Sequence, residues 1–253
     1  MKAIAVIPAR YGSTRFPGKP LADIAGKTLI ERVYNQTIQA RNISEVLVAT
    51  DDKRIFDEIA SIGGKAVMTS DNHPSGTDRI AEAVKDTDFD VVVNVQGDEP
   101  LIPPELIDEL AGQFEKQPGL KAVTAAHKLY DHKLIESPDA VKVAIDYNNY
   151  AETFSRSSLN TYCRGKNGLL DYDGKWPGFL KHVGIYGFTR ETLFNFVGWK
   201  PSPLEVAEKL EQMRLVENGV KIKVLITSYE PVSVDTHEDI KKVLEILKVA
   251  DEA

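Results

Sequence analysis

Apolar and polar positions follow two different periods along the first half of the chain. Residues 3–7 form a continuous apolar run of strand length, after which Leu29, Ile30, Val33, Tyr34 and Ile38 recur at helical spacing. Residues 46–50 read as a second strand ending at Asp51-Asp52. Ile55, Phe56, Ile59 and Ala60 mark a second helix, which Gly63-Gly64 stops. A strand over 65–69 and a loop over 70–76 precede a helix from Thr77 to about Lys85. Residues 90–96 then read as a strand too uniformly apolar for a sheet edge. This βαβα rhythm predicts a mostly parallel sheet covered by helices on both faces, with ligands bound beyond the carboxyl ends of the strands.

Beyond Lys121 the rhythm changes. Residues 141–145 and 150–155 flank Asp146–Asn149 as a hairpin, and 164–178, rich in Gly, Lys and Asp, reads as a loop or dimer arm. Residues 181–188 read as a strand, 203–218 as one long helix closed by Gly219, 220–227 as a strand, 232–234 as a shorter one and 237–249 as a terminal helix. There is no internal repeat or clear interdomain linker. The expectation is a single domain over 1–253, with 130–190 inserted as a hairpin and arm.

Bulk properties narrow the function classes. A chain of 253 residues can bury a substantial core. A net charge of −7 argues against general nucleic-acid binding, which leaves a basic footprint. Cys163 is the only cysteine, so neither an intramolecular disulfide nor a cysteine-rich zinc site can form. No stretch approaches the length needed to span a bilayer, and the first apolar run is too short for a signal peptide. The expectation is a cytoplasmic protein with no membrane insertion.

Against this acidic background, the loop after the first strand carries Arg10, Arg15 and Lys19, the hydroxyls of Ser13 and Thr14, and Gly12 and Gly18. Cations and backbone N–H groups at a strand end suit a polyphosphate. A Walker loop has four residues between its glycines and then Lys followed by Ser or Thr. Here five residues separate Gly12 from Gly18, and Pro20 follows Lys19, which argues against an ATPase P-loop. Asp98, directly after the buried strand, is placed to hold magnesium with phosphate oxygens or to cap the next helix. Asp235 closes a later apolar stretch, where it can join Asp98 around a metal or cap the last helix. Ser75-Gly76-Thr77-Asp78-Arg79 offers contacts to a base or ribose, or an ordinary helix start. His182 and Tyr186 face one side of a strand. His73, His127, His132 and His237 show no metal-ligand spacing and read as solvated or capping.

Taken in order, these motifs resemble the 3-deoxy-manno-octulosonate (KDO) cytidylyltransferases. The matching segments are IPARYGSTRFPGKPL, VATDD, SGTDR, VNVQGDEPLI, KV-A-ID followed by FSR, KHVGIYGF, LE-EKLEQMR-VENG-KIKV and VDT-ED. The resemblance implies a nucleotide-diphospho-sugar transferase fold, an α/β/α sandwich with a mostly parallel mixed sheet, usually as a homodimer. It implies that CTP and KDO, or a close 3-deoxy-ulosonic acid such as an 8-amino analogue, give the CMP-sugar and pyrophosphate for lipopolysaccharide or capsule. By position, Arg10, Ser13 and Lys19 would contact the CTP phosphates, with Thr77 and Arg79 near the nucleotide. Asp98 and Asp235 would hold Mg2+, and Lys19, Asp98 and Asp235 would be catalytic. Gln96, Arg164, His182, Tyr186, Glu211 and Gln212 would surround the sugar acid. The family commonly shows Ile-Pro and then Arg after Phe-Ser-Arg. Here Phe154-Ser155-Arg156 is followed by Ser157-Ser158-Leu159 without the proline, which leaves Arg156 as the alternative to Arg164. A glycosyltransferase and a non-catalytic nucleotide sensor are the rival classes.

Overall fold

A computed structural model describes residues 1–12, 16–159 and 178–251; Ser13 and Arg164 lie outside the described residues. The chain divides into two compact units, Met1–Gly112 with Pro231–Ala253, and Gln113–Glu230.

The first unit begins with β1 (Ala3–Ala9), a 3-10 turn (Lys19–Leu21) and a small ribbon, β2 (Asp23–Ile24) with β3 (Lys27–Thr28). Then come α1 (Leu29–Thr37), β4 (Glu45–Thr50), α2 (Lys53–Ser61), β5 (Ala66–Met68), α3 (Gly76–Ala83), β6 (Val91–Asn94) and α4 (Pro104–Lys116). Its strands pair in parallel in the order β6-β1-β4-β5. Ile4, Ala5, Val6 and Ile7 of β1 are wholly buried, as are Ile30 and Val33 of α1, Ile55 and Ile59 of α2 and Ile80 of α3. The alternating periods in the sequence are thus the buried stripes of strands and helices in turn. Thr28, Asp52 and Ser75 cap α1, α2 and α3 by accepting from the N–H of Glu31, Arg54 and Asp78.

The chain runs outward from β1 through β4 to β5, then returns to β6 on the other side of β1. Loops leaving the adjacent ends of β1 and β6 therefore diverge, and this is where an open parallel sheet forms its crevice. The α/β class expected from the sequence is the class found.

The second unit contains β7 (Ala122–Leu129), α5 (His132–Glu136), β8 (Lys142–Ile145), β9 (Ala151–Ser155) and β10 (Phe179–Thr189). α6 (Arg190–Gly198), α7 (Pro203–Glu208), α8 (Met213–Glu217) and β11 (Ile222–Thr227) complete it. β7 pairs in parallel with β11 and antiparallel with β10, and β8 pairs antiparallel with both β9 and β10. The expected hairpin is present. Asn149 takes a positive φ of 58° in its turn, and Asp146 Oδ1 accepts from the N–H of Asn148 and Tyr150, each at 2.8 Å. The C-terminal helix, α9 (His237–Asp251), belongs to the first unit.

Two sequence expectations need correction, and one strand went unread. The single helix over 203–218 is two short helices, broken at Lys209 in a left-handed conformation (φ 55°). Leu210, Gln212, Met213, Arg214 and Leu215 are all buried, more than the single stripe of a continuous helix can turn inward. Residues 232–234 join no sheet. Finally, residues 122–129 form a long strand that their alanine-rich sequence did not announce; nearly every position is buried.

Candidate functional site

The first loop is pinned before it reaches the crevice. Gly18 donates its N–H to Tyr11 O at 3.0 Å and sits at φ 73°, a conformation that strains any residue with a Cβ. Lys19 and buried Pro20 then enter the 3-10 turn, which fixes the start of the lysine side chain. After β6, Gly97 passes close to the end of β1; a Cβ there would lie 2.8 Å from Pro8 O. This close approach sets Asp98 opposite Lys19. Lys19 Nζ donates to Asp98 Oδ2 at 2.9 Å and to Asp235 Oδ1 at 3.2 Å. One ammonium thus holds two carboxylates from distant parts of the sequence.

Asp235 arrives on the segment that leads into α9. Val234 is wholly buried and donates its N–H to Asp98 O at 2.9 Å, while Ser233 Oγ donates to Glu99 Oε1. The capping alternatives considered for the two acids fail on geometry. α4 begins only at Pro104, beyond the reach of Asp98. Asp239 Oδ2 accepts from the N–H of Asp235 (3.2 Å) and Thr236 (3.0 Å) and from Thr236 Oγ1 (2.9 Å). Asp239 therefore closes the start of α9, in the manner of a capping box, and Asp235 is left to face Lys19. Burial alone would raise the Asp239 pKa; the bonds from Lys242, Thr236 and the two N–H groups outweigh it and hold the pKa down to about 2.

The opposite wall is built by α3 and the loop before it. The cavity, about 310 Å³, is lined by Arg10, Lys19, Asp98 and Asp235 on one side and by His73, Ser75, Gly76 and Arg79 on the other, with Gln96 between. Arg79 is only 3% exposed; it donates to Thr69 Oγ1 at 2.6 Å and to Asp51 Oδ2 at 2.7 Å. A buried guanidinium with a matched acceptor set is rigid. Ser75 caps α3, so this segment is a helix start and a cavity wall at once. Thr77 is buried in the first turn and does not line the cavity.

His73, read as solvated or capping, instead lines the cavity and bonds through Nε2 to Glu82. Glu82 has a lowered pKa, first from the Ser70 N–H and then from His73. The signal available for His73 was its position, directly before the Ser-Gly-Thr-Asp-Arg segment. Glu99, Ser233 and the acceptor role of Asp51 were also missed. Each depends on a partner far along the chain, which local spacing does not reveal.

In the second unit, His182, Tyr186 and Glu211 come together. The His182 ring lies 5.1 Å from Phe154, edge-on, and 5.2 Å from Tyr186. Enclosure lowers its pKa to about 3, so the ring is neutral at physiological pH. Thr124 Oγ1 lies 2.7 Å from Ile185 O, to which it donates, and 3.0 Å from His182 Nε2. Burial first, and then the Glu211 charge, push the Tyr186 hydroxyl well above its usual pKa. Gln212 is buried at the start of α8. Arg156 is engaged elsewhere: its side chain donates to Glu208 O at 3.1 Å and Pro138 O at 3.0 Å. His127 is buried and its pKa is lowered, chiefly by burial. His237 packs against Phe16, with ring centroids 3.9 Å apart.

Among the described residues, no group of three or more His, Cys, Asp or Glu side chains is arranged to hold a metal, and no helix is long and apolar enough to cross a membrane. The cavity combines cations, two converging carboxylates and a helix start, a donor set that suits a nucleoside triphosphate with a cation.

Comparison with known proteins agrees with this chemistry. The pattern of the Cytidylyltransferase family matches residues 4–222. A 3-deoxy-manno-octulosonate cytidylyltransferase of Trichlorobacter lovleyi is 48% identical over 251 residues, covering 98% of this chain and 99% of the relative. The protein of the same name from Geotalea daltonii is 47% identical over 250 residues, covering 98% and 99%. A solved structure of a CMP:2-keto-3-deoxy-manno-octonic acid synthetase complexed with CTP superposes with a TM-score of 0.90 at 38% identity, covering all of both chains.

Proposed function

The chain belongs to the cytidylyltransferase family, among the 3-deoxy-manno-octulosonate enzymes, and from that premise we propose how its residues carry out the transfer. It is a nucleotidyltransferase that couples CTP to KDO, giving CMP-KDO and pyrophosphate. The anomeric hydroxyl of the sugar acid attacks the α-phosphorus of CTP. A P–O bond forms to the sugar, the attacking hydroxyl gives up its proton to solvent, the bond from the α-phosphorus to the bridging oxygen breaks, and pyrophosphate leaves with that electron pair. Little covalent chemistry falls to the protein, which must align the reactants and stabilise charge. The observation that carries this reading is Lys19 at the mouth of the β1–β6 crevice, within 3.2 Å of both Asp98 and Asp235.

Arg10 and Lys19 bind the triphosphate and hold the departing pyrophosphate. Two carboxylates converging on one point, with room for phosphate oxygens, fit a magnesium ion, and Asp98 and Asp235 are the residues that would hold it. Bound there, Mg2+ would neutralise charge on the α-phosphate and lower the pKa of the attacking hydroxyl. Lys19 leaves the carboxylates for the phosphates as CTP enters. Arg79, locked by Asp51 and Thr69, forms the rigid wall on the nucleoside side.

Gln96 lines the cavity of the first unit, and in the second unit Arg164, His182, Tyr186, Glu211 and Gln212 are the residues proposed for the sugar acid. Neutral His182 and un-ionised Tyr186 offer hydroxyl-directed hydrogen bonds without adding charge. Arg164 or Arg156 takes the carboxylate role; the Arg156 side chain also donates to the backbone carbonyls of Glu208 and Pro138. The product feeds lipopolysaccharide or capsule assembly, and the enzyme works in the cytoplasm as a homodimer, with residues 130–190 supplying the arm.

The test is a pyrophosphate-release screen pairing CTP with KDO, its 8-amino analogue and sialic acid, with ATP, GTP and UTP as alternative nucleotides. Release with CTP and KDO is the expected result. Preference for the amino analogue would change the sugar. CTP binding without turnover would favour a sensor, and activity from a nucleotide-sugar donor would favour a glycosyltransferase.

A further inference from the structure

Glu99 is 7% exposed, directly follows Asp98, and has no part in the transfer described above. Burying a carboxylate is costly unless its acceptor capacity is used. The structure gives it a specific partner: Ser233 Oγ, from the far end of the chain, donates to Glu99 Oε1. One residue further on in each segment, Val234 N–H donates to Asp98 O at 2.9 Å. The two bonds fasten the Pro231–Asp235 stretch against the Gln96–Glu99 turn, which closes on itself through Glu99 N–H to Gln96 O at 3.3 Å. Residues 232–234 join no sheet, so strand pairing does not hold this segment.

We propose that Glu99 and Ser233 are positioning residues, a latch that holds Asp235 beside Asp98 and so creates the two-carboxylate cation site. This inference rests on the metal-binding reading of Asp98 and Asp235. The backbone bond alone fixes one point; the side-chain bond fixes a second and removes the rotation that would swing Asp235 off Lys19. Asp239 and Thr236 anchor the same segment from the α9 side. Asp235 is therefore held at both flanks. The Glu99–Ser233 and Val234–Asp98 bonds tie it to the Asp98 segment, beside the Lys19 ammonium that the two aspartates share, and the Glu99 tie needs an acceptor at 99 but no charge.

The prediction separates positioning from direct ligation. Mn2+ binding to the full-length protein, followed by electron paramagnetic resonance with and without CTP, should weaken about fivefold to tenfold in Ser233→Ala and in Glu99→Ala, the scale of losing one hydrogen bond of about 1 kcal/mol. Glu99→Gln keeps an acceptor and should stay within about twofold of wild type, and Ser233→Thr should also retain affinity. The double alanine variant should lose less than the sum of the two single losses, because the two residues share an interaction. With saturating cation, the KM for CTP should change little in all of them. Unchanged Mn2+ affinity in Ser233→Ala overturns the latch. So does a Glu99→Gln loss as large as that of Asp98→Asn, which would make Glu99 a direct ligand. If the wild-type protein itself binds no Mn2+, the metal reading fails first, and that result is distinct from a wild type that binds and a Ser233→Ala that binds equally well.

Discussion

Two groups of polar residues in this molecule are built on opposite principles. In the first unit, Lys19, Asp98 and Asp235 are charged, partly exposed and drawn from three stretches of chain. In the second, His182 and Tyr186 sit on one strand, are enclosed by Phe154 and Phe188, and are kept in their neutral forms by burial. Charged groups that bind and release a polyphosphate stay near water, where exchanging one ionic partner for another costs little. Neutral groups in an enclosed setting discriminate by shape and hydrogen bonding, because a substrate that leaves one of them unpaired incurs the full desolvation cost. On the function proposed above, turnover falls to the first group and choice of sugar to the second.

The sharpest way to break this comparison is Asp98→Asn. Losing a stabiliser of transition-state charge should lower kcat on the order of a hundredfold or more. A near-normal kcat in steady-state assays would remove Asp98 from the charged group. Lys19→Ala should raise the KM for CTP by roughly tenfold to a hundredfold, the span of a charge-assisted bond of about 1.5–3 kcal/mol. Unchanged CTP kinetics would dissolve the phosphate-loop assignment.

His182→Phe tests the second group. It keeps the ring and removes one neutral hydrogen bond, so the KM for the sugar acid should rise about twofold to tenfold while the KM for CTP stays put. Equal damage to both substrates would mean that the two groups do not divide the work.

The remaining test concerns pH and reads stability, not turnover. The His182 pKa is depressed in the folded protein, from 6.5 to about 3, so the unfolded chain binds the extra proton first. Stability from keeping His182 neutral is complete above about pH 6.5 and is lost as pH falls toward 3, by at most about 1.4 kcal/mol per pH unit. Denaturant melts at stepped pH should show this slope in the wild type and a shallower one in His182→Phe. Activity between pH 5 and 8 should show no inflection from this residue.

Parts of this arrangement were legible in the sequence, for physical reasons that differ by region. The parallel sheet of the first unit could be read because its strands are buried on both faces and its helices on one, which writes two distinct periods into the chain. Asp98 and the Arg10–Lys19 loop could be read because they lie at strand ends, where an open α/β sheet gathers its ligands. The broken helix at Lys209 could not, because helical spacing persists through 203–218 while the burial of Leu210 and of Gln212 through Leu215 demands a turn. The strand over 122–129 was hidden by its small residues, whose strand character comes from β10 and β11 on either side.

By itself the sequence determined the βαβ rhythm, the cationic first loop, the two separated aspartates and the placing of His182 and Tyr186 on one side of a strand. Those features are local, set by spacing and side-chain chemistry that short range can express. Tertiary structure alone decided that Lys19 lies between Asp98 and Asp235, that Asp51 locks Arg79, that His73 faces the cavity and that Ser233 meets Glu99. Each of these joins residues whose meeting depends on how strands are ordered and helices packed, and a hydrogen bond between distant segments leaves no periodic trace in either one.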